Sequence, residues 1–131
     1  MKPLFKKADA IVMRVPSLED GLAFYRDKLG HQLLWQHNTM AALAMSDSDT
    51  QIVLATELDK ETDILVESVD EAVAQIKSAG GSVLVEPEDI PVGRVAVVAD
   101  PFGNQLTLID LTKGHYQADA SGRIIAINKN K

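Results

Sequence analysis

The sequence predicts an α+β fold built from two tandem βαβββ modules whose curved mixed sheets enclose a cleft. Three observations carry that prediction: an ungapped internal repeat, an apolar helical stripe that stops at glycine in each copy, and three short strand candidates after each stripe. Val15 maps to Val66, Ser17 to Ser68, Glu19 to Asp70, Leu22 to Val73, Ala23 to Ala74, Gly30 to Gly81 and Leu33 to Leu84, each pair 51 residues apart. The modules are placed at about residues 8–57 and 61–112, with a tail over 113–131, in a single domain.

In the first copy, 10–15 reads as a strand, and Ser17 offers a hydroxyl N-cap followed by Glu19 and Asp20, which suit a helix N-terminus. Leu18, Leu22, Tyr25 and Leu29 then recur at helical spacing, and Gly30 supplies the left-handed residue that ends many helices. The second copy repeats the scheme with a strand over 63–67, Ser68 as cap, a stripe of Val69, Ala72, Val73 and Ile76, and Gly80-Gly81 as the stop.

The later strands are expected at 32–37, 41–46 and 51–56, and at 82–86, 94–99 and 105–111. Gln51-Ile52-Val53-Leu54 matches Gln105-Leu106-Thr107-Leu108 at an offset of 54, so the second copy holds three more residues, expected in a turn over 87–93. Strand alternation sends Ile11, Met13, Val15, Ile52, Leu54, Ile64, Val66, Leu106 and Leu108 toward the helices. It leaves Ala10, Val12, Arg14, Val53, Ala55, Glu61, Asp63, Leu65, Thr107 and Ile109 toward the cleft.

Composition narrows the function classes. At 131 residues and 46% apolar content the chain is long enough to bury a core. It has no apolar run of membrane-spanning length and no secretory leader pattern, which predicts a cytoplasmic protein with no membrane partner. With no cysteine, thiolate chemistry is excluded, and a net charge of −6 argues against nucleic acid and favours a neutral or cationic ligand.

Two stretches carry a family resemblance: the helix Ser17-Leu-Glu-Asp-Gly-Leu-Ala-Phe-Tyr-Arg-Asp-Lys-Leu-Gly30 and the turn Asp100-Pro-Phe-Gly-Asn-Gln-Leu-Thr-Leu108. With the duplication, they resemble the vicinal oxygen chelate superfamily of glyoxalase I, bleomycin- and fosfomycin-resistance proteins and extradiol dioxygenases, over roughly residues 8 to 112. The resemblance implies a homodimer. Metal-using members hold their ion with His, Glu or Gln on the first and last strand of each unit, and those four positions here are Ala10, Val53, Glu61 and Thr107. Methyl and isopropyl groups have no lone pair to give, and a neutral threonine hydroxyl replaces a carboxylate poorly. No metal or other cofactor is therefore expected. His31 and His37 would stand roughly 20 Å apart along one strand, and His115 lies in the tail.

The candidate ligand-binding residues are Arg14, Trp35, His37, Asp63 and Thr107, with Glu61 as a weak catalytic candidate. Trp35 is either a stacking platform, as the resemblance implies for drug-binding members, or plain core. His37 is two residues further along the same face. Arg14 with Glu61 and Asp63 reads as a structural ion pair between the copies or as a ligand-holding group. Glu61 could move a proton if burial raised its pKa. Asp100–Asn104 reads as a structural turn, and Arg123-Ile-Ile-Ala-Ile127 as a β-like run that packs on its own domain or on a partner subunit.

The expected function is metal-independent binding of a small organic molecule, in the manner of bleomycin-resistance-like proteins that sequester a drug or metabolite unchanged. The alternatives are a glyoxalase-like lyase or isomerase, with a divalent metal or a metal-free acid–base mechanism, and a structural dimer with a vestigial cleft.

Overall fold

A computed structural model describes residues 2–129. The chain forms two compact units. One comprises Asp9–Glu61 and Tyr116–Ala126, and the other comprises 2–8, Thr62–His115 and 127–129.

The first of these, unit A, holds strands β1 (Lys7–Arg14), β2 (Leu33–Gln36), β3 (Met40–Leu43) and β4 (Gln51–Ala55) in the order β2-β3-β4-β1. The second, unit B, holds β5 (Glu61–Leu65), β6 (Ser82–Ile90), β7 (Gly93–Ala99) and β8 (Gln105–Asp110) in the order β5-β8-β7-β6. Each unit pairs its first and last strands parallel and the rest antiparallel, so the two sets of four strands have one topology. Even the exit from the first strand repeats: Val15 N–H donates to Ala55 O and Val66 N–H to Ile109 O, both at 2.9 Å.

The helices start as their sequences require. Ser17 Oγ accepts from Asp20 N at 3.1 Å ahead of α1 (Leu18–Leu22), and Ser68 Oγ accepts from Glu71 N at 3.2 Å ahead of α2 (Val69–Ser78). Their middles differ. After Leu22 the first helix widens into a π-helical stretch over Ala23–Lys28, where Leu29 N–H reaches back five residues to Phe24 O. Each widened turn rotates the following residues around the axis. Leu29, expected in the apolar stripe, is 53% exposed as a result, while Leu18, Leu22 and Tyr25 do pack on the sheet.

Alternation sorts the faces as expected. In unit A, Val15, Leu22, Ala41, Leu43, Ile52 and Leu54 form the helix-side core; in unit B, Val66, Val69, Ala72, Val73, Ala96, Val98 and Leu108 do so. Burying a Leu or Val side chain contributes about 1.5–3 kcal/mol, so these two layers dominate each unit's stability.

One expectation fails at a sheet edge. The three additional residues of the second copy do not make a loop over 87–93. They lengthen β6 to Ile90, where Glu88, Asp89 and Ile90 pair with Val95, Arg94 and Gly93. The register shifts between Val85 and Glu88, and Pro87, which has no N–H to donate, sits in that irregularity on a sheet edge. The tail forms strands β9 (His115–Ala118) and β10 (Ile124–Asn128) of a hairpin, and the part of it over Tyr116–Ala126 belongs to unit A. Among the described residues no helix is long and apolar enough to cross a membrane.

Candidate functional site

Each sheet has a face turned away from its helix. In unit A, register places Trp35, Ala42, Val53 and Val12 in one row across β2, β3, β4 and β1. In unit B the matching row is Val85, Val97, Thr107 and Asp63 across β6, β7, β8 and β5. The repeat makes Val85 the counterpart of Trp35, Thr107 that of Val53 and Asp63 that of Val12.

The unit A row is sealed. Ala10, Val12, Trp35, Ala42, Val53 and Ala55 are all buried, and Tyr116, Ala118 and Ile124 of the tail hairpin pack against them. Trp35 and His37 have near-parallel rings with centroids 6.0 Å apart, and the Tyr116 ring tilts onto Trp35 at 4.7 Å. Partial burial pushes the Tyr116 phenol up from its ordinary pKa. His37 is exposed, and its Nδ1 accepts from Thr39 N at 3.3 Å.

The unit B row is more polar. Thr107 is buried and stands beside the half-buried Asp63. Val97 is half-buried, and Val85 is 41% exposed. Past the ends of β5 and β8 lies an open hollow of about 480 Å³ with Leu65, Val66 and Leu111 as apolar lining and Lys6, Glu67, Thr112 and His115 as polar lining. Glu67 meets Lys2 Nζ at 3.3 Å, and that ammonium holds its carboxyl below the usual range.

The hollow's wall is pinned by Asp110, a buried carboxylate. Its Oδ2 accepts from Val69 N at 2.8 Å, and its Oδ1 accepts from Arg94 N at 3.0 Å and Thr112 Oγ1 at 2.9 Å. One side chain thereby joins the start of α2, the start of β7 and the end of β8. Gly93 is required beside it, because a Cβ there would collide with the Asp110 carbonyl.

The remaining candidates separate. Arg14 is exposed and meets Asp59 at 3.0 Å, rather than the expected Glu61 or Asp63. Glu61 is half-buried at the start of β5. His31 Nδ1 lies 2.9 Å from the Ala44 carbonyl, to which it donates, and so has a structural role.

The donor chemistry at the four positions taken from the resemblance does not suit a metal. Ala10 and Val53 are each 3% exposed inside a packed apolar cluster, and Thr107 offers a hydroxyl. Among the described residues no three His, Asp or Glu side chains gather closely enough to share an ion. The turn at Asp100 is structural: Oδ1 accepts from Phe102 N and Asn104 N, both at 2.9 Å, and Gly103 has φ of 93°.

The sequence pattern of the Glyoxalase/Bleomycin resistance protein/Dioxygenase superfamily matches residues 7–108. The chain belongs to that superfamily. Solved structures agree on the superfamily fold. Methylmalonyl-CoA epimerase from Mycobacterium tuberculosis is 20% identical with a TM-score of 0.72, covering 84% of this chain and 91% of its own. Hypothetical protein BH1468 from Bacillus halodurans C-125 is 22% identical with a TM-score of 0.68, covering 86% and 97%. A Streptomyces coelicolor methylmalonyl-CoA epimerase in complex with 2-nitronate-propionyl-CoA is 18% identical with a TM-score of 0.66, covering 81% and 97%. Among curated proteins none matches the sequence. The superfamily hosts binding proteins and enzymes on one scaffold, so function rests on the site.

Sequence reasoning missed Tyr116, Asp110 and the hollow. Tyr116 is the tail's one residue of the Phe, Tyr and Trp set, which was a usable signal. Asp110 ends an apolar strand, where a carboxylate invites the question of what it binds. The hollow joins residues from 6 to 115, and no local pattern connects them.

Proposed function

We propose that this protein binds a small organic molecule without a metal ion, holding a drug or metabolite rather than transforming it. The observation that carries this reading is the state of Ala10 and Val53: where metal-using relatives need donors, this chain has a methyl and an isopropyl group packed into an apolar cluster. A first-row metal normally takes about three protein ligands, and Glu61 and Thr107 fall short of that set.

The hollow of unit B is the seat we assign to the ligand. Its volume of about 480 Å³ lies within the range of small-molecule sites. Leu65, Val66 and Leu111 would take an apolar body, while Lys6, Thr112 and His115 would take a hydrogen-bond-accepting end.

The test has two parts. Protein purified without chelator or affinity-tag metal is assayed by elemental mass spectrometry, with a nickel, zinc and manganese thermal-shift series. The expected result is substoichiometric metal and no shift; near-stoichiometric metal with clear stabilisation overturns the reading. A thermal-shift panel of small carboxylates, neutral aromatics and acyl amides then seeks a ligand, whose stabilisation is about 2.7 kcal/mol at a hundredfold excess over Kd. Leu111→Arg, which puts a charge into the hollow, is expected to abolish that shift. Turnover of a panel compound would replace binding with catalysis.

A further inference from the structure

The hollow of unit B reverses the charge of the chain around it. The protein carries 19 acidic and 13 basic residues, and its net charge of −6 by itself favours a neutral or cationic ligand. At the hollow, two ammonium groups attend one carboxylate. Glu67 is engaged by Lys2 at 3.3 Å, and Lys6 lowers the same carboxyl further through space, without an ion pair of its own among the described residues. Asp110 does not line the hollow, and its oxygens are already met by Val69 N, Arg94 N and the Thr112 hydroxyl. One cation therefore stands in excess beside Leu65, Val66 and Leu111.

The backbone positions two donors at the rim. Lys6 N–H donates to Leu65 O at 2.9 Å, which ties the lysine to the end of β5. His115 follows a turn closed by Gly114 N–H on Leu111 O at 3.2 Å and by Lys113 N–H on Val92 O at 2.9 Å. Gly114 has φ of 130°, and a Cβ there would collide with the Asn128 carbonyl, so the approach to His115 needs glycine. The exposed imidazole of His115 offers a ring N–H at the hollow. The neighbouring Lys113 ammonium is committed to Asp89 and the Ile90 carbonyl.

We propose, on the reading of the hollow as the ligand seat, that its ligand is an aliphatic monocarboxylate, with the alkyl body on Leu65, Val66 and Leu111 and the carboxylate toward Lys6 and His115. The apolar lining is aliphatic, which suits an alkyl chain. A single excess cation matches a single negative charge, whereas a phosphate dianion sets a surplus charge beside Glu67.

Amide chemical shifts of the full chain, titrated with octanoate, octanamide, butanoate and octyl phosphate, test the assignment. Octanoate is expected to shift the amides of 65–67 and 111–115 saturably, with a Kd about fivefold below that of octanamide, the scale of an ion pair at an open rim. Butanoate, with four fewer methylenes, is expected to bind about tenfold or more weakly. Octyl phosphate is expected to bind no more tightly than octanoate. Lys6→Gln is expected to bring octanoate within about twofold of octanamide. Lys77→Gln, which makes the same change in net charge at a residue that does not line the hollow, is expected to keep the preference. Equal Kd values for octanoate and octanamide, or an equal loss of preference in the two lysine variants, overturn the proposal and leave the hollow as a site for neutral ligands. Tighter binding of octyl phosphate, shifts centred on other residues, or no saturation by octanoate up to about 10 mM overturns it as well. Failure of every compound in the wider thermal-shift panel is what removes the hollow itself.

Discussion

Unit A and unit B repeat one pattern, one topology and one pair of serine caps, yet they manage the ends and open faces of their sheets differently. At the end of β8, Asp110 collects amides from α2 and β7 into one buried carboxylate. The matching position in unit A is Thr56, whose hydroxyl reaches only the Thr39 carbonyl at 3.4 Å. On the open faces the contrast reverses: unit A has a fully buried apolar row under a hairpin, while unit B keeps a threonine and a carboxylate side by side. Duplicated modules share what backbone hydrogen bonding and the helix-side core demand. They are free to diverge where the core does not reach.

The comparison breaks hardest at Asp110. Asp110→Ala strands the buried Val69 amide and the half-buried Arg94 amide, and chemical denaturation is expected to show a loss of about 3 kcal/mol; Thr56→Ala is expected to cost at most about 1 kcal/mol. Equal costs would mean that the two strand ends are held alike.

A smaller effect tests what the units share. The hairpin turn of unit A copies the Asp100 turn of unit B bond for bond. Asp119 N donates to Arg123 O and Gly122 N to Asp119 O, while Asp119 Oδ1 accepts from Ser121 N and Arg123 N. The Asp119 carboxyl is held below its usual range, chiefly by the Ser121 hydroxyl; that of Asp100 is held down chiefly by the Asn104 side-chain amide. A carboxyl depressed in the folded state contributes stability above its unfolded pKa, near 3.9, and loses it as pH falls through the lower folded value. The protection factors of the Gly122 and Gly103 amides, exchange rates corrected for the intrinsic pH dependence, are therefore expected to hold between pH 7 and 5 and to fall together below about pH 4. Asp119→Asn is expected to remove that acid response at Gly122 alone.

The smallest effect concerns the arginines. Arg14 and Asp59 form an exposed pair, so Arg14→Ala is expected to change stability by less than about 0.5 kcal/mol. Arg94 in unit B bridges Asp70 and Asp89 and donates to the Pro87 carbonyl. Its alanine variant is expected to lower Tm measurably more than Arg14→Ala, by differential scanning fluorimetry.

Much of this fold is legible in the residues themselves. The interval between Val15 and Val66, the serine caps, the glycine stops and the alternation of Ile52 with Val53 are local signals, each set by a rule that operates within a few residues. From them follow the element order, the helix-side core and the loss of donors at Ala10 and Val53. The widened turn after Leu22 left no mark that periodicity could detect. Pro87 read as a turn because its ring suits a turn and a strand irregularity equally.

By itself, then, the sequence determined the duplicated α+β architecture, the superfamily and the apolar character of two of its four donor positions, because these depend on side-chain type and spacing. Only the tertiary structure decided that Asp110 binds the start of α2, that Arg14 meets Asp59, that a hollow opens beside Leu65 and that Tyr116 lies on Trp35. Each joins residues distant in sequence. Such contacts are selected by how packed elements fill space, which no single stretch of the chain encodes.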